Sequence, residues 1–160
     1  MVILRCTQKL HRRLPDVGES GDVASTTVFG DWTCNLARFG RIQTILCVSH
    51  VTLLPVLVPA RLGHTFPGRL QTALAQMLAI LSVPAAQIAQ EIAAMDEHVI
   101  AATNNRQVLG SLNDFKRMAE FFVQSADLDE LLTVSLQLAK APCKPINYLS
   151  PQQAVAQAFA

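Results

Sequence analysis

The sequence predicts an α+β domain: a small, mostly antiparallel sheet from the N-terminal third, with helices packed on it from the C-terminal two-thirds. Three observations carry this. Short β-type apolar runs cluster in the first 60 residues. From Pro67 the apolar spacing changes to a helical period. The composition is 51% hydrophobic and 16% charged, which suits a chain with a sizeable core and excludes disorder for most of its length. Strands first and helices afterwards is the segregated pattern of helices on one face of an antiparallel sheet. A chain of 160 residues is about one domain's worth. The expectation is a single domain over 1–160, with a mobile loop near 15–25 and a C-terminal helical tail at 127–160. Two half-domains joined near Arg61 to Pro67 are the alternative.

Taken in order, Val2-Ile3-Leu4 is a short β-type run, and Thr7 to Leu14 holds one or two helical turns. Pro15 stops that element, because it lacks an N–H and restricts the residue before it. Pro15 to Ser25 mixes Asp, Gly, Glu and Ser with few large apolar side chains, as a loop does. Thr26 to Phe29 reads as a β-segment ahead of a Gly30-Asp31 turn. Trp32 to Leu36 and Ile42 to Val48 read as strands joined by Ala37 to Arg41. Leu53 to Val58 follows as a third strand after a tight Ser49-His50 connection. Links this short suit hairpins and not crossovers, so the three form an antiparallel meander. Pro55 and Pro59 cannot donate to a ladder, which places the third strand at an edge or a bulge.

Leu70, Ala73, Leu74, Met77, Leu78 and Leu81 form one apolar stripe at helical spacing. Pro84 starts a second helix at a first-turn position, with Ile88, Ile92 and Met95 inward. Glu97 to Ala102 reads as a strand returning to the sheet. Val108, Leu112, Phe115, Ala119 and Phe122 mark a third helix, capped by Asn104 or Asn105. Asp127-x-x-Glu130 resembles a capping box opening a fourth helix, and Ser150-Pro151-Gln152-Gln153 opens the last one.

Thirteen basic and twelve acidic residues leave a formal charge of +1, so no strong field recruits nucleic acid or acidic lipid. Six basic residues (Arg5, Lys9, Arg12, Arg13, Arg38, Arg41) fall in the first 41, which keeps a nucleic-acid-associated protein as a third reading. Cys6, Cys34, Cys47 and Cys143 form no C-x-x-C pair and have no histidine at finger spacing, so no metal site is expected. The first three sit in apolar, strand-like surroundings and read as buried reduced thiols of a cytoplasmic protein. The longest apolar run, Val51 to Ala60, is too short and too proline-broken for a spanning helix.

No nucleotide loop, G-x-S-x-G elbow or H-E-x-x-H is present, and His11, His50, His64 and His98 are scattered. No cofactor is expected. Two polar segments remain. In a strand, Trp32, Cys34 and Leu36 share one face and Asp31, Thr33 and Asn35 the other, so the second face is a polar row. Thr103-Asn104-Asn105-Arg106 lies where a strand meets a helix, where free amides and a guanidinium can hold an anion. Asn113 follows Arg106 by seven residues. Asp31, Asn35, Asn105, Arg106 and Asn113 are therefore the candidate ligand-binding residues, meeting in one cleft if the 97–102 strand pairs beside the Trp32 strand. No base–nucleophile pair stands among them, so no catalytic residue is named.

Arg5-Cys6-Thr7-Gln8-Lys9-Leu10 resembles the R-C-T-x-K-L opening of a bacterial family, domain of unknown function 6933. Trp32-Thr33-Cys34-Asn35-Leu36 resembles its W-x-x-N-L segment, and Asn104-Asn105-Arg106 with Leu109 to Asn113 its later helix. The resemblance spans roughly residues 2 to 122. It implies no activity, but it places three separated polar motifs in one domain. The expected function is a non-catalytic binding or protein-interaction module; the alternatives are an enzyme with an Asp/Asn/Arg site and the nucleic-acid reading, from a mobile-element or toxin–antitoxin context. A homo-oligomer is one expected partner, because the 128–138 helix is apolar nearly all round and needs cover on more than one side; an unknown protein or small anionic ligand is the other.

Overall fold

The structure is a computed structural model that describes residues 1–15, 21–61, 63–123 and 127–160. Five strands form one sheet: β1 (Val2–Cys6), β2 (Trp32–Phe39), β3 (Ile42–Ser49), β4 (Pro55–Pro59) and β5 (His98–Ala102), in the order β4-β3-β2-β1-β5. The helices are α1 (Gln8–His11), α2 (Phe66–Ile80), α3 (Ala85–Ala94), α4 (Arg106–Phe122), α5 (Glu130–Leu138) and α6 (Pro151–Ala158). The α+β class holds. The meander β2-β3-β4 is antiparallel, as its short links require, and its β2–β3 ladder is the longest in the sheet. β1 lies between β2 and β5 and is parallel to both. The 97–102 segment is thus a strand, but it pairs beside β1 and not beside the Trp32 strand.

The β2–β3 hairpin is tighter than expected. β2 runs on to Phe39, which pairs with Ile42 across a Gly40-Arg41 turn. Gly40 has φ +61°, the left-handed conformation that a two-residue hairpin turn of this kind needs at its first central position. Thr26 to Phe29, expected as a β-segment, is a turn. Gly30 N–H donates to the Thr27 carbonyl, and Val28 and Phe29 donate their N–H groups to the carboxylate of Glu91 at 2.9 and 3.4 Å. Of the expected loop at 15–25, residues 16–20 lie outside the described residues.

Side chains alternate along a strand, and the core divides accordingly. Val2, Leu4, Cys6, Trp32, Cys34, Ile45, Cys47, Val56 and Val58 face one side, packed with Leu10 of α1, Leu70, Leu74 and Met77 of α2, and Val155 of α6. Ala37, Phe39, Leu46, Val48 and Leu57 face the other, under Val108, Leu112, Phe115 and Ala119 of α4 and Leu131, Val134 and Leu138 of α5. Helices therefore cover both faces, not one. The reason lies in β3 and β4, where Ile45 to Val48 and Val56 to Val58 are apolar at consecutive positions; such a strand must be buried twice.

α5 closes the β4 edge. Leu131, Val134 and Leu138 pack on the second face, while Leu132 and Leu136 reach round to the first. The all-round apolar character of this helix is thereby accounted for within the chain. Alternate residues of an edge strand aim their backbone groups away from the ladder. On β4 these are Pro55, Leu57 and Pro59. The two prolines have no donor to leave bare. The Leu57 N–H is met by Ser135 Oγ at 3.0 Å, and Ser135 in turn donates to the Leu131 carbonyl at 2.7 Å. Arg69 Nη1 donates to the Pro59 carbonyl at 3.1 Å.

The helix ends follow their chemistry. Asn105 Oδ1 accepts from the N–H groups of Gln107 and Val108, both at 3.1 Å, and so starts α4. Ser150 and Gln153 form a complete capping box at α6. The box expected at Asp127-x-x-Glu130 does not form in that way. α5 begins at Glu130 with Asp129 as its cap residue, and Asp127 Oδ1 accepts from the Asp129 N–H at 3.0 Å. No described helix is long and apolar enough to cross a membrane.

Candidate functional site

Two of the three polar motifs meet on the second face of the sheet. Arg5 on β1 and Asp31 at the foot of β2 form an ion pair, Nε to Oδ2 at 2.6 Å, with side chains 16% and 17% exposed. Ser25 Oγ donates to the other carboxylate oxygen at 2.6 Å and accepts from the Ile3 N–H at 3.0 Å. Arg5 Nη1 also donates to the Ala102 carbonyl at 3.2 Å, so one guanidinium ties β1, β2 and β5. A step further along, Thr7 Oγ1 donates to Asn35 Oδ1 at 2.6 Å. Asp31, Thr33 and Asn35 do form the expected polar row. Its carboxylate is met by Arg5, not by Arg106.

Thr33 Oγ1 lies 2.8 Å from His50 Nε2. A hydroxyl on an imidazole beside a carboxylate has the makings of an activated nucleophile. Its surroundings prevent that use. Thr33 is 0% exposed, and both Asp31 oxygens are already engaged by Arg5 and Ser25. Burial pushes the His50 pKa below the ordinary histidine value; Asp31 opposes the shift and Arg5 reinforces it. The row is a set of internally satisfied side chains that locks three strands together.

The third motif goes elsewhere. Asn105 is used as a helix cap. Val108, Leu112, Phe115 and Ala119 form the buried stripe of α4. At ~100° per residue, Arg106 and Asn113 lie about 150° and about 130° round the helix from that stripe, and both are exposed. The structure places Asp31 and Asn35 on one face of the sheet, each with its own partner, and turns Arg106 and Asn113 to the outer side of α4. Sequence reasoning missed Arg5 as the partner of Asp31, because only the β1–β2 pairing makes them neighbours.

The concave surface lies on the other side of the sheet's β4 edge. A cleft of about 700 Å³ opens between α2, α5 and β4. Leu57, Val58, Ala73, Met77, Leu131 and Leu132 give it apolar walls, with Thr72, Gln76, Arg69 and Ser135 as polar points. A second cleft, also about 700 Å³, adjoins it and is lined by Arg38, Arg41 and Arg61 with Gln43, Asp127 and Asp129. Pro59, Leu128 and Asp129 line both. Sequence reasoning missed this cleft: the prolines mark β4 as an edge strand, but which helices meet at that edge is set by the tertiary fold.

Three thiols stand in register across the middle of the sheet, Cys6 beside Cys34 and Cys34 beside Cys47. All three are buried on the first face. The Cys6–Cys34 hydrogen bond and burial push the Cys6 pKa up, and burial chiefly does the same to Cys34, so thiolate is scarce. Among the described residues no group of three or more His, Cys, Asp and Glu is arranged to hold a metal ion.

A family model described as Domain of unknown function (DUF6933) matches residues 3–154. No curated protein and no solved structure matches the chain.

Proposed function

Because the chain belongs to the DUF6933 family, whose description carries no activity, its role has to be read from its own surface, and we propose that it is a non-catalytic binding module whose ligand occupies the α2–α5–β4 cleft. The observation that carries this reading is the cleft itself. Its volume, about 700 Å³, falls in the range of small-molecule sites, and its walls are mainly apolar with a few polar groups to set orientation. The floor is a strand edge already sealed by Ser135 and two prolines, so the site needs no strand addition to be satisfied. The polar residues that would serve an enzyme are instead paired with one another on the sheet.

Gly68 supplies the test. It lines the cleft from α2, and a Cβ built on it meets nothing within 4 Å. Gly68→Trp therefore sets an indole at the cleft wall without a clash at its Cβ, and replacing a helical glycine is itself favourable by a few tenths of a kcal/mol. Dodecanol titrated by calorimetry below its solubility limit should bind wild type at one site per chain and fail to bind Gly68→Trp, whose melting temperature should not fall. Absence of saturable binding to wild type, or equal binding to both proteins, removes the reading.

A further inference from the structure

We infer that the ligand is a free single-chain amphipathic anion, its tail in the apolar cleft and its carboxylate head among Arg38, Arg41 and Arg61. The inference rests on the binding-module reading and names the chemistry of that same site. Continuity is the first argument. The two clefts adjoin and share Pro59, Leu128 and Asp129 in their linings, so the arginine-lined section begins at the residues that bound the apolar one. A ligand that filled only the first would stop against polar wall; a ligand with a charged end uses both.

Charge complementarity is the second. Arg38, Arg41 and Arg61 have no carboxylate partner among the described residues. Arg38 uses its Nε on the Gly40 carbonyl at 3.0 Å, which steadies the side chain and leaves its terminal nitrogens free for a ligand. Arg13, hydrogen-bonded to Gln43 Oε1 at 2.7 Å, adds a fourth guanidinium beside the same wall. The opposing acids, Asp127 and Asp129, are outnumbered, and Asp127 already accepts a backbone N–H. The section thus presents net positive charge to whatever emerges from the apolar cleft. A guanidinium pairs with a carboxylate through two parallel hydrogen bonds, which a neutral hydroxyl head cannot reproduce. The arginines also sit on two separate pieces of chain: the β2–β3 hairpin, which carries Arg38 and Arg41, and the segment after β4, which carries Arg61. Their meeting is a property of the fold, not of a local charge run.

The experiment compares three probes with a twelve-carbon chain by calorimetry: laurate and dodecyltrimethylammonium below their critical micelle concentrations, and dodecanol below its solubility limit. Laurate should bind at least about tenfold more tightly than dodecanol, and the cationic probe more weakly than either. Arg41→Gln combined with Arg61→Gln, both exposed positions, should lower laurate affinity about tenfold and leave dodecanol unchanged. Gly68→Trp should abolish both. Equal wild-type affinities for laurate and dodecanol overturn the anionic head while the cleft reading stands. Laurate binding that survives Gly68→Trp overturns the continuity of the two sections. No binding of any probe overturns the cleft reading and the inference with it.

Discussion

Ser135→Ala probes how the β4 edge is closed. Ser135 is 1% exposed, and its hydroxyl is the acceptor for the outward Leu57 N–H. Alanine removes that acceptor, adds no bulk and is a better helix former. What remains is a buried, unmet backbone donor, which costs on the order of 1–3 kcal/mol. Unfolding entropy of ~2.1 cal/mol/K per residue over a 160-residue chain gives about 0.34 kcal/mol/K. The melting temperature should therefore fall by about 3–9 °C. Urea titration should show the same loss with an unchanged slope, and Leu57 should lose most of its amide exchange protection. Thr133→Ala, on the exposed side of the same helix, is the control and should stay within ~0.5 kcal/mol of wild type. If Ser135→Ala melts with wild type and Leu57 remains protected, the edge is not held by this hydroxyl and the account of α5 fails.

Asp31→Asn should destabilise by about 1–3 kcal/mol, since it strands a largely buried Arg5 guanidinium, and should leave laurate binding intact; a calorimetric loss of binding would return the site to the sheet. Burial raises the Glu91 pKa against the lowering effect of the Val28 and Phe29 N–H groups. The folded state then holds the proton more tightly than the unfolded chain, so stability from this group is full below the unfolded value and is lost as pH rises through the folded one. Urea titrations should show Glu91→Gln gaining on wild type from pH 4 to pH 7, and a gap moving the other way would refute the burial argument. Cys6, Cys34 and Cys47 should resist a disulfide reagent in the folded protein while the half-buried Cys143 reacts first; fast labelling of any of the three counts against their burial.

Much of the fold was legible because it rests on local periodicity. The stripe from Leu70 to Leu81, the alternation about Trp32 and the cap at Asn105 all appear as expected. The pairing partners of β1 were not legible, since a three-residue apolar run contains nothing that selects its neighbours. The polar-row error follows from that: with β1 inserted between β2 and β5, Arg5 reaches Asp31 and Arg106 does not. Two-sided burial was readable in the unbroken apolar runs of β3 and β4 but was outweighed by the segregation of strands from helices. Of the candidate residues, Asp31 and Asn35 were placed on the correct shared face. The clefts depend on which helices meet at an edge, which no local pattern states.

The most direct test of the cleft as the ligand site is an amide chemical-shift map during laurate titration. Leu57, Thr72, Ala73, Met77 and Leu132 should shift saturably with one common dissociation constant, while Arg5, Asp31 and Asn35 stay still. Largest shifts at Arg5, Asp31 and Asn35, or no saturable shift on α2, α5 and β4, would contradict the account.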